Sequence, residues 1–177
     1  ILADSKCCLG AYIFLWGQKQ ERTPTWYGMF LEAGERTAAV DVMQKAWTGE
    51  WPVQRAPEIQ SLRLNDQEAP ASVEGITNQV FRAEVDAADK DDHLISWRVR
   101  EEVPAALQSD GGDFEPTPPT IEAVIGTQNR QFSFQLSEPG EYRLFCQIDT
   151  PYDSSAVANS SFLFTFVAPQ RTRYYKL

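Results

Sequence analysis

Basic charge is what this sequence most plainly lacks. Sixteen Lys and Arg stand against 25 Asp and Glu, a formal charge of −9 over 177 residues, and the deficit is regional as well as global. A nucleic-acid partner is therefore not expected, because phosphate binding needs a basic surface that displaces counterions. Histidine is nearly absent: the single His93 rules out a histidine-rich metal centre, and its neighbours Asp91 and Asp92 are joined by no serine in a nucleophile elbow. Three cysteines cannot all pair, and adjacent Cys7 and Cys8 on a strand would point to opposite faces, so neither a disulfide framework nor zinc-finger spacing is present. No glycine-rich phosphate loop occurs. No apolar run approaches the ~20 residues of a membrane-spanning helix, and the chain reads as soluble with no membrane span.

What is present is apolar material for a core, 42% hydrophobic and 12% aromatic residues, distributed unevenly. Residues 1–52 hold four of the five Trp and are nearly neutral, while most of the acidic excess follows them. Residues 8–16 (Cys-Leu-Gly-Ala-Tyr-Ile-Phe-Leu-Trp) form a continuous apolar run stopped by Gly17, the pattern of a strand buried on both faces of a parallel sheet. A turn-rich stretch from 18 to 34 leads to residues 37–47, where Val40, Met43 and Trp47 recur at helical spacing between a capping Thr37 and a terminating Gly49. One strand-loop-helix unit cannot cover both faces of its own strand. Residues 1–52 therefore read as the terminal βα unit of a larger, truncated barrel; the competing reading is an N-terminal extension packed on the domain that follows. A start at Ile1 without initiator Met or leader reads as a processed or excised piece.

After a short linker, 53–57, the pattern changes to alternation broken by turns. Strands are expected over 59–64, 80–85, 94–101, 120–125, 130–136, 142–148 and 162–166. Phe81, Ala83 and Val85 share one face, and Ile95, Trp97 and Val99 lie inward with Arg98 and Arg100 outward. Phe132, Phe134 and Leu136 point inward in turn, followed by Tyr142, Leu144, Cys146 and Ile148. The expected class is mainly β: an immunoglobulin-like seven-stranded β-sandwich over 58–168 preceded by the single βα unit, with 169–177 as a tail. Trp97 on the third strand and Tyr142 after Pro139-Gly140 suit that sandwich, but no second-strand Cys exists to pair with Cys146. The Pro- and Gly-rich connection 103–120 is expected to be an irregular loop.

The segment Gly10-Ala-Tyr-Ile-Phe-Leu-Trp-Gly-Gln-Lys-Gln-Glu-Arg-Thr-Pro-Thr-Trp-Tyr-Gly28, with Ala39-Val-Asp-Val-Met-Gln and Trp47-Thr-Gly-Glu-Trp-Pro52, resembles the end of a bacterial glycoside-hydrolase-type (β/α)8 barrel. The acidic turn Asp86-Ala-Ala-Asp-Lys-Asp-Asp-His-Leu-Ile-Ser-Trp97 and the segment Glu138-Pro-Gly-Glu-Tyr-Arg-Leu-Phe145 resemble the immunoglobulin-like or PKD-like sandwich that follows such barrels, although its usual turn glycine is replaced by Lys90 or Asp91. The resemblance implies a periplasmic or extracellular carbohydrate-active protein whose sandwich is a non-catalytic accessory domain and whose partner is the remainder of its own barrel. It implies that Trp16 ends the eighth strand as a platform under a sugar ring, with Gln18, Lys19, Glu21 and Trp26 on the loop lining the cleft.

Retaining hydrolysis requires two carboxyl groups ~5 Å apart. In the resembled barrels these come from the fourth and seventh strands, upstream of this sequence, so no catalytic residue is assigned and the chain alone is expected to hydrolyse nothing. The alternative is a carbohydrate- or protein-binding module without catalysis. No organic cofactor is expected. The best metal candidate is the acidic turn Asp86, Asp89, Asp91 and Asp92, whose clustered carboxylates suit Ca2+; the competing reading is a solvated turn. Severed from its barrel, the first segment is expected to leave Tyr12, Phe14, Met43 and Trp47 on an apolar surface.

Overall fold

A computed structural model describes residues 10, 12–69, 73–88, 92–108, 115–151, 154–156 and 162–165. The chain is mainly β; among the described residues two antiparallel sheets enclose one core, with one α-helix ahead of them.

The helix α1 spans Ala38–Thr48. Thr37 caps it: its hydroxyl accepts from the Ala39 N–H at 3.3 Å and donates to the Met29 carbonyl at 3.0 Å. Gly49 ends it in the left-handed conformation (φ 79°), donating its N–H to the Lys45 carbonyl. In the first turn Asp41 is buried, and its Oδ2 accepts from the Ala56 N–H at 2.6 Å, which ties the helix to the chain entering the sandwich.

Nine strands follow among the described residues: β1 Glu58–Leu64, β2 Gln67–Glu68, β3 Val80–Ala88, β4 Leu94–Glu101, β5 Thr120–Thr127, β6 Gln131–Gln135, β7 Glu141–Asp149, β8 Ser155–Ala156 and β9 Phe162–Thr165. The first sheet runs β2-β1-β3-β6. The second runs β5-β4-β7, with β8 and β9 both pairing with β7. The sequence alternation sets the layers. Along β3, Phe81, Ala83, Val85 and Ala87 are buried while the residues between them are exposed. They meet Leu62, Leu64, Phe132 and Phe134 of their own sheet and Trp97, Val99, Leu144, Cys146 and Ile148 of the other in one apolar cluster. Trp97 is fully buried, stacks on Phe132 at 5.9 Å between centroids and donates its indole N–H to the Asn129 carbonyl at 3.2 Å. The Tyr142 hydroxyl donates to the Glu138 carbonyl at 3.0 Å, closing the corner at the start of β7.

The two-sheet architecture expected from alternation is present, and β2 and β8 are two short strands that alternation did not reveal. Residues 103–120 carry a 3-10 turn at Ala105–Leu107 where an irregular loop was expected. The larger difference is at the start. Among the described residues 12–16 no strand is formed, and their one pairing is a parallel bridge between Leu15 and Gly28. Tyr12, Phe14 and Trp16 are 102%, 74% and 60% exposed instead of buried. The physical reason is the one that made the strand look truncated: a strand apolar on both faces needs neighbouring strands as well as helices, and among the described residues only α1, through Trp47, and the loop ring of Phe30 reach Trp16. Residues 8, 9 and 11 of that strand, Phe166 and the tail 169–177 lie outside the described residues.

Instead, residues 17–37 fold as loops against the outer face of β4 and β7. Phe30 and Arg36 form an antiparallel bridge, and Arg36 bridges to Ser154. Phe145 lies on the solvent-facing side of β7 by alternation yet is buried, in a cleft bordered by Pro24, Leu31 and Ala33. The N-terminal loops thus add a third layer to part of the sandwich.

Candidate functional site

The carbonyl of Gly17 accepts from the N–H groups of both Met29 and Phe30, at 3.0 and 3.2 Å, and so closes the loop between them. The approach is tight: a Cβ on Gly28 would lie 2.7 Å from that same carbonyl oxygen. Within the loop the Gln18 amide donates to the Pro24 carbonyl at 2.6 Å, the Trp26 N–H donates to the Lys19 carbonyl at 2.9 Å, and Lys19 Nζ meets Glu21 Oε2 at 2.6 Å. The structure therefore gathers Gln18, Lys19, Glu21 and Trp26 on one loop. It spends three of them on holding that loop: Glu21 is buried against Lys19, and Gln18 faces backbone.

Trp16 lies elsewhere, on an aromatic face. Its ring is stacked near Trp47 of α1 (6.1 Å, 28° between planes) and edge-on to Phe30 at 5.3 Å. Beside it Phe14 contacts Tyr27 at 6.2 Å, and Tyr27 contacts Trp26 at 4.8 Å. Trp47 is 62% exposed and Met43 is half-buried. The face offers broad apolar rings to an apolar partner surface or to the C–H face of a sugar.

The loop is pinned to the sandwich by a residue without a sequence signal. Arg22 sits at φ 54° between Glu21 and Thr23, whose backbones bond each other in both directions. Its N–H donates to Oε2 of Glu115 at 2.8 Å, and its guanidinium donates to Gln108 Oε1 at 2.9 Å. Glu115 is fully buried, with Oε1 unpartnered among the described residues. Nothing in the Pro-rich stretch around it marked this position.

Of the acidic turn, Asp89 and Asp91 lie outside the described residues. Asp86 is exposed, 3.5 Å from Arg130, and Asp92 is exposed, 3.9 Å from His93 Nε2. Among the described residues no group of three or more His, Cys, Asp or Glu is assembled to hold an ion, and no helix is long and apolar enough to cross a membrane. Buried Cys146 faces the core, where desolvation, reinforced by Asp149, pushes its thiol up to about 12; such a thiol is an inert packing group.

No protein-family model matches the chain, and no curated protein matches it. Solved structures that resemble it include the soluble domain of PmoD from Methylocystis sp. ATCC 49242 (TM-score 0.39, 11% identity, 67% of this chain and 95% of that one). Another is the PKD domain of an M14-like peptidase from Thermoplasmatales archaeon SCGC AB-540-F20 (0.29, 13%, 65% and 94%). A third is the superoxide reductase (neelaredoxin) of Ignicoccus hospitalis (0.30, 14%, 64% and 81%). With every TM-score below 0.5, these likenesses carry no argument about function. The class of the protein rests on its own topology: a mainly β chain of two antiparallel sheets around a shared core.

Proposed function

We propose that the chain is the C-terminal part of a carbohydrate-active, glycoside-hydrolase-like protein acting in the periplasm or outside the cell. Residues 1–52 are its barrel-terminal segment, and the sandwich is an immunoglobulin-like accessory domain without catalysis. The strand order supports the immunoglobulin-like reading: β1-β3-β6 opposite β5-β4-β7-β9 follows the A-B-E and C′-C-F-G arrangement of such domains. The single observation that carries the parentage is the aromatic face of Phe14, Trp16 and Trp47, exposed on a segment that is itself anchored to the sandwich side through Arg22, Arg36 and Asp41. A segment with that much apolar surface, braced from one side, fits the edge of a larger body. The barrel supplies the two carboxylates and the sandwich braces its last unit. Aryl-glycoside turnover by a longer parent chain, with none by the purified 177 residues, is the expected result; turnover by the 177 residues alone overturns the assignment.

The stacked Trp16 and Trp47 favour one second reading, a glycan-binding module without catalysis. Affinity electrophoresis against several β-glucans separates the two: retardation that Trp47→Ala abolishes selects the module.

A further inference from the structure

A cleft of about 200 Å3 lies between the loop carrying Gln20, Glu32 and Glu35 and the outer face of β4 and β7. Arg98 and Arg100, two residues apart on β4, both border it, as the pleat requires of alternate residues. Each spends little of its hydrogen-bonding capacity: Arg98 donates through one Nη to Gln147 Oε1 at 3.0 Å, and Arg100 donates through Nε to Thr120 Oγ1 at 3.3 Å. Neither forms an ion pair among the described residues, although acidic groups outnumber basic ones in the chain. Phe145 lies at the base, with the Arg100 guanidinium 5.5 Å from its ring centroid. Across the cleft, Glu35 keeps a buried Oε2 with no hydrogen-bond donor among the described residues.

We propose that this cleft binds one small hydroxylated carboxylate of the size of a single sugar acid, its carboxylate spanning Arg98 and Arg100 and a hydroxyl donating to Glu35 Oε2. The volume is below the ~300–1,000 Å3 of drug-sized sites, which limits the ligand to one such unit. Two adjacent guanidiniums with unspent forks match a carboxylate, and an orphaned buried carboxylate oxygen matches a hydroxyl donor. The local field agrees. Burial lowers the Arg100 pKa, Arg98 lowers it further, and the opposing pull of Glu32 is the smallest of the three influences, so an added negative charge is favoured there. The site lies where the N-terminal loops cover the sandwich and is independent of the barrel parentage.

Calorimetric titration of the whole chain with glucuronate, glucose, acetate and sulfate tests it. Glucuronate should bind about tenfold or more tightly than glucose, acetate or sulfate, the worth of one to two charge-assisted hydrogen bonds. Arg98→Lys/Arg100→Lys, which keeps the charge but loses the forks, should weaken glucuronate about tenfold with its melting temperature unchanged. Glu35→Ala should bring glucuronate down to the acetate level and leave acetate unaffected. Equal binding of sulfate or acetate and glucuronate overturns the proposal in favour of a simple anion site. Equal binding of glucose and glucuronate overturns the role of the arginines, and no binding of any probe in the millimolar range overturns the site itself.

Discussion

Cys146 and Glu115 are both fully buried, and each makes a stability prediction of a different kind. The Cys146 thiol is held up at about 12 from an ordinary 9.0, first by loss of solvent and then by Asp149. A raised pKa means that the folded state keeps its proton while the unfolded chain loses it. Its stabilising share is therefore intact below pH 9 and is lost as pH rises toward 12. The expected slope in that window is ~1.4 kcal/mol per pH unit. Denaturant unfolding of Cys146→Ala should show that part of the alkaline slope removed; Tyr142, raised in the same direction by desolvation and by Glu101 and Glu138, contributes to what remains. Glu115 offers a contrast in which charge and hydrogen bonding separate. Glu115→Ala leaves the Arg22 N–H without its acceptor and should cost about 1–3 kcal/mol. Glu115→Gln keeps the acceptor and exchanges the unpartnered oxygen for an equally unpartnered NH2, so its unfolding midpoint should stay close to that of the parent and above that of the Ala variant. A Gln variant as unstable as the Ala variant would show that the charge itself holds the loop.

At the level of elements, the β1–β2 hairpin turns through Asn65 and Asp66 at φ 48° and 64°, the two-residue mirror turn that right-handed strand twist selects. Asn65 suits its position, and its side chain accepts from the Arg82 N–H at 2.9 Å. Asp66 is strained by its Cβ, so Asp66→Gly should raise stability by about 0.5 kcal/mol, read as an increase in unfolding midpoint with an unchanged denaturant slope. The β5 strand is the reverse case, an edge strand exposed on both faces with Ile121, Val124 and Ile125 in solvent. Its alternation reads as a strand, but alternation cannot say whether a second sheet lies opposite it. Two-residue strands such as β2 and β8 are too short to carry a period at all.

For the molecule as a whole, the exposed aromatic face is expected to drive association. Sedimentation velocity should show concentration-dependent self-association of the 177-residue chain that high salt does not dissolve, because apolar contact rather than charge drives it. Trp47→Lys should weaken that association about tenfold or more, the scale of losing one large buried side chain. A chain that stays monomeric at all concentrations would remove the case for a missing neighbour. The candidate site was legible to an uneven degree. Gln18, Lys19, Glu21 and Trp26 share a loop because they are contiguous in the chain, and the exposure of Trp47 was expected from an apolar pattern too rich for the chain around it. Arg98 and Arg100 were legible as an outward pair on one strand, but not as the wall of a cleft, since the opposite wall comes from residues more than sixty positions earlier. Glu115 was not legible, because a carboxylate in a Pro-rich loop looks like any solvated one.

By itself the sequence determined the longer strands of the sandwich and the inner face of β3, β4, β6 and β7, because the two-residue period is local and a slip of one position would bury the wrong half of a strand. It also determined the caps of α1. Tertiary structure alone decided that residues 12–16 pair with almost nothing, that Phe145 is buried on an outer face, and that Arg22 meets Glu115 across a separation of 93 residues. Each of those depends on which surfaces come together, and long-range burial leaves no period in the chain to read.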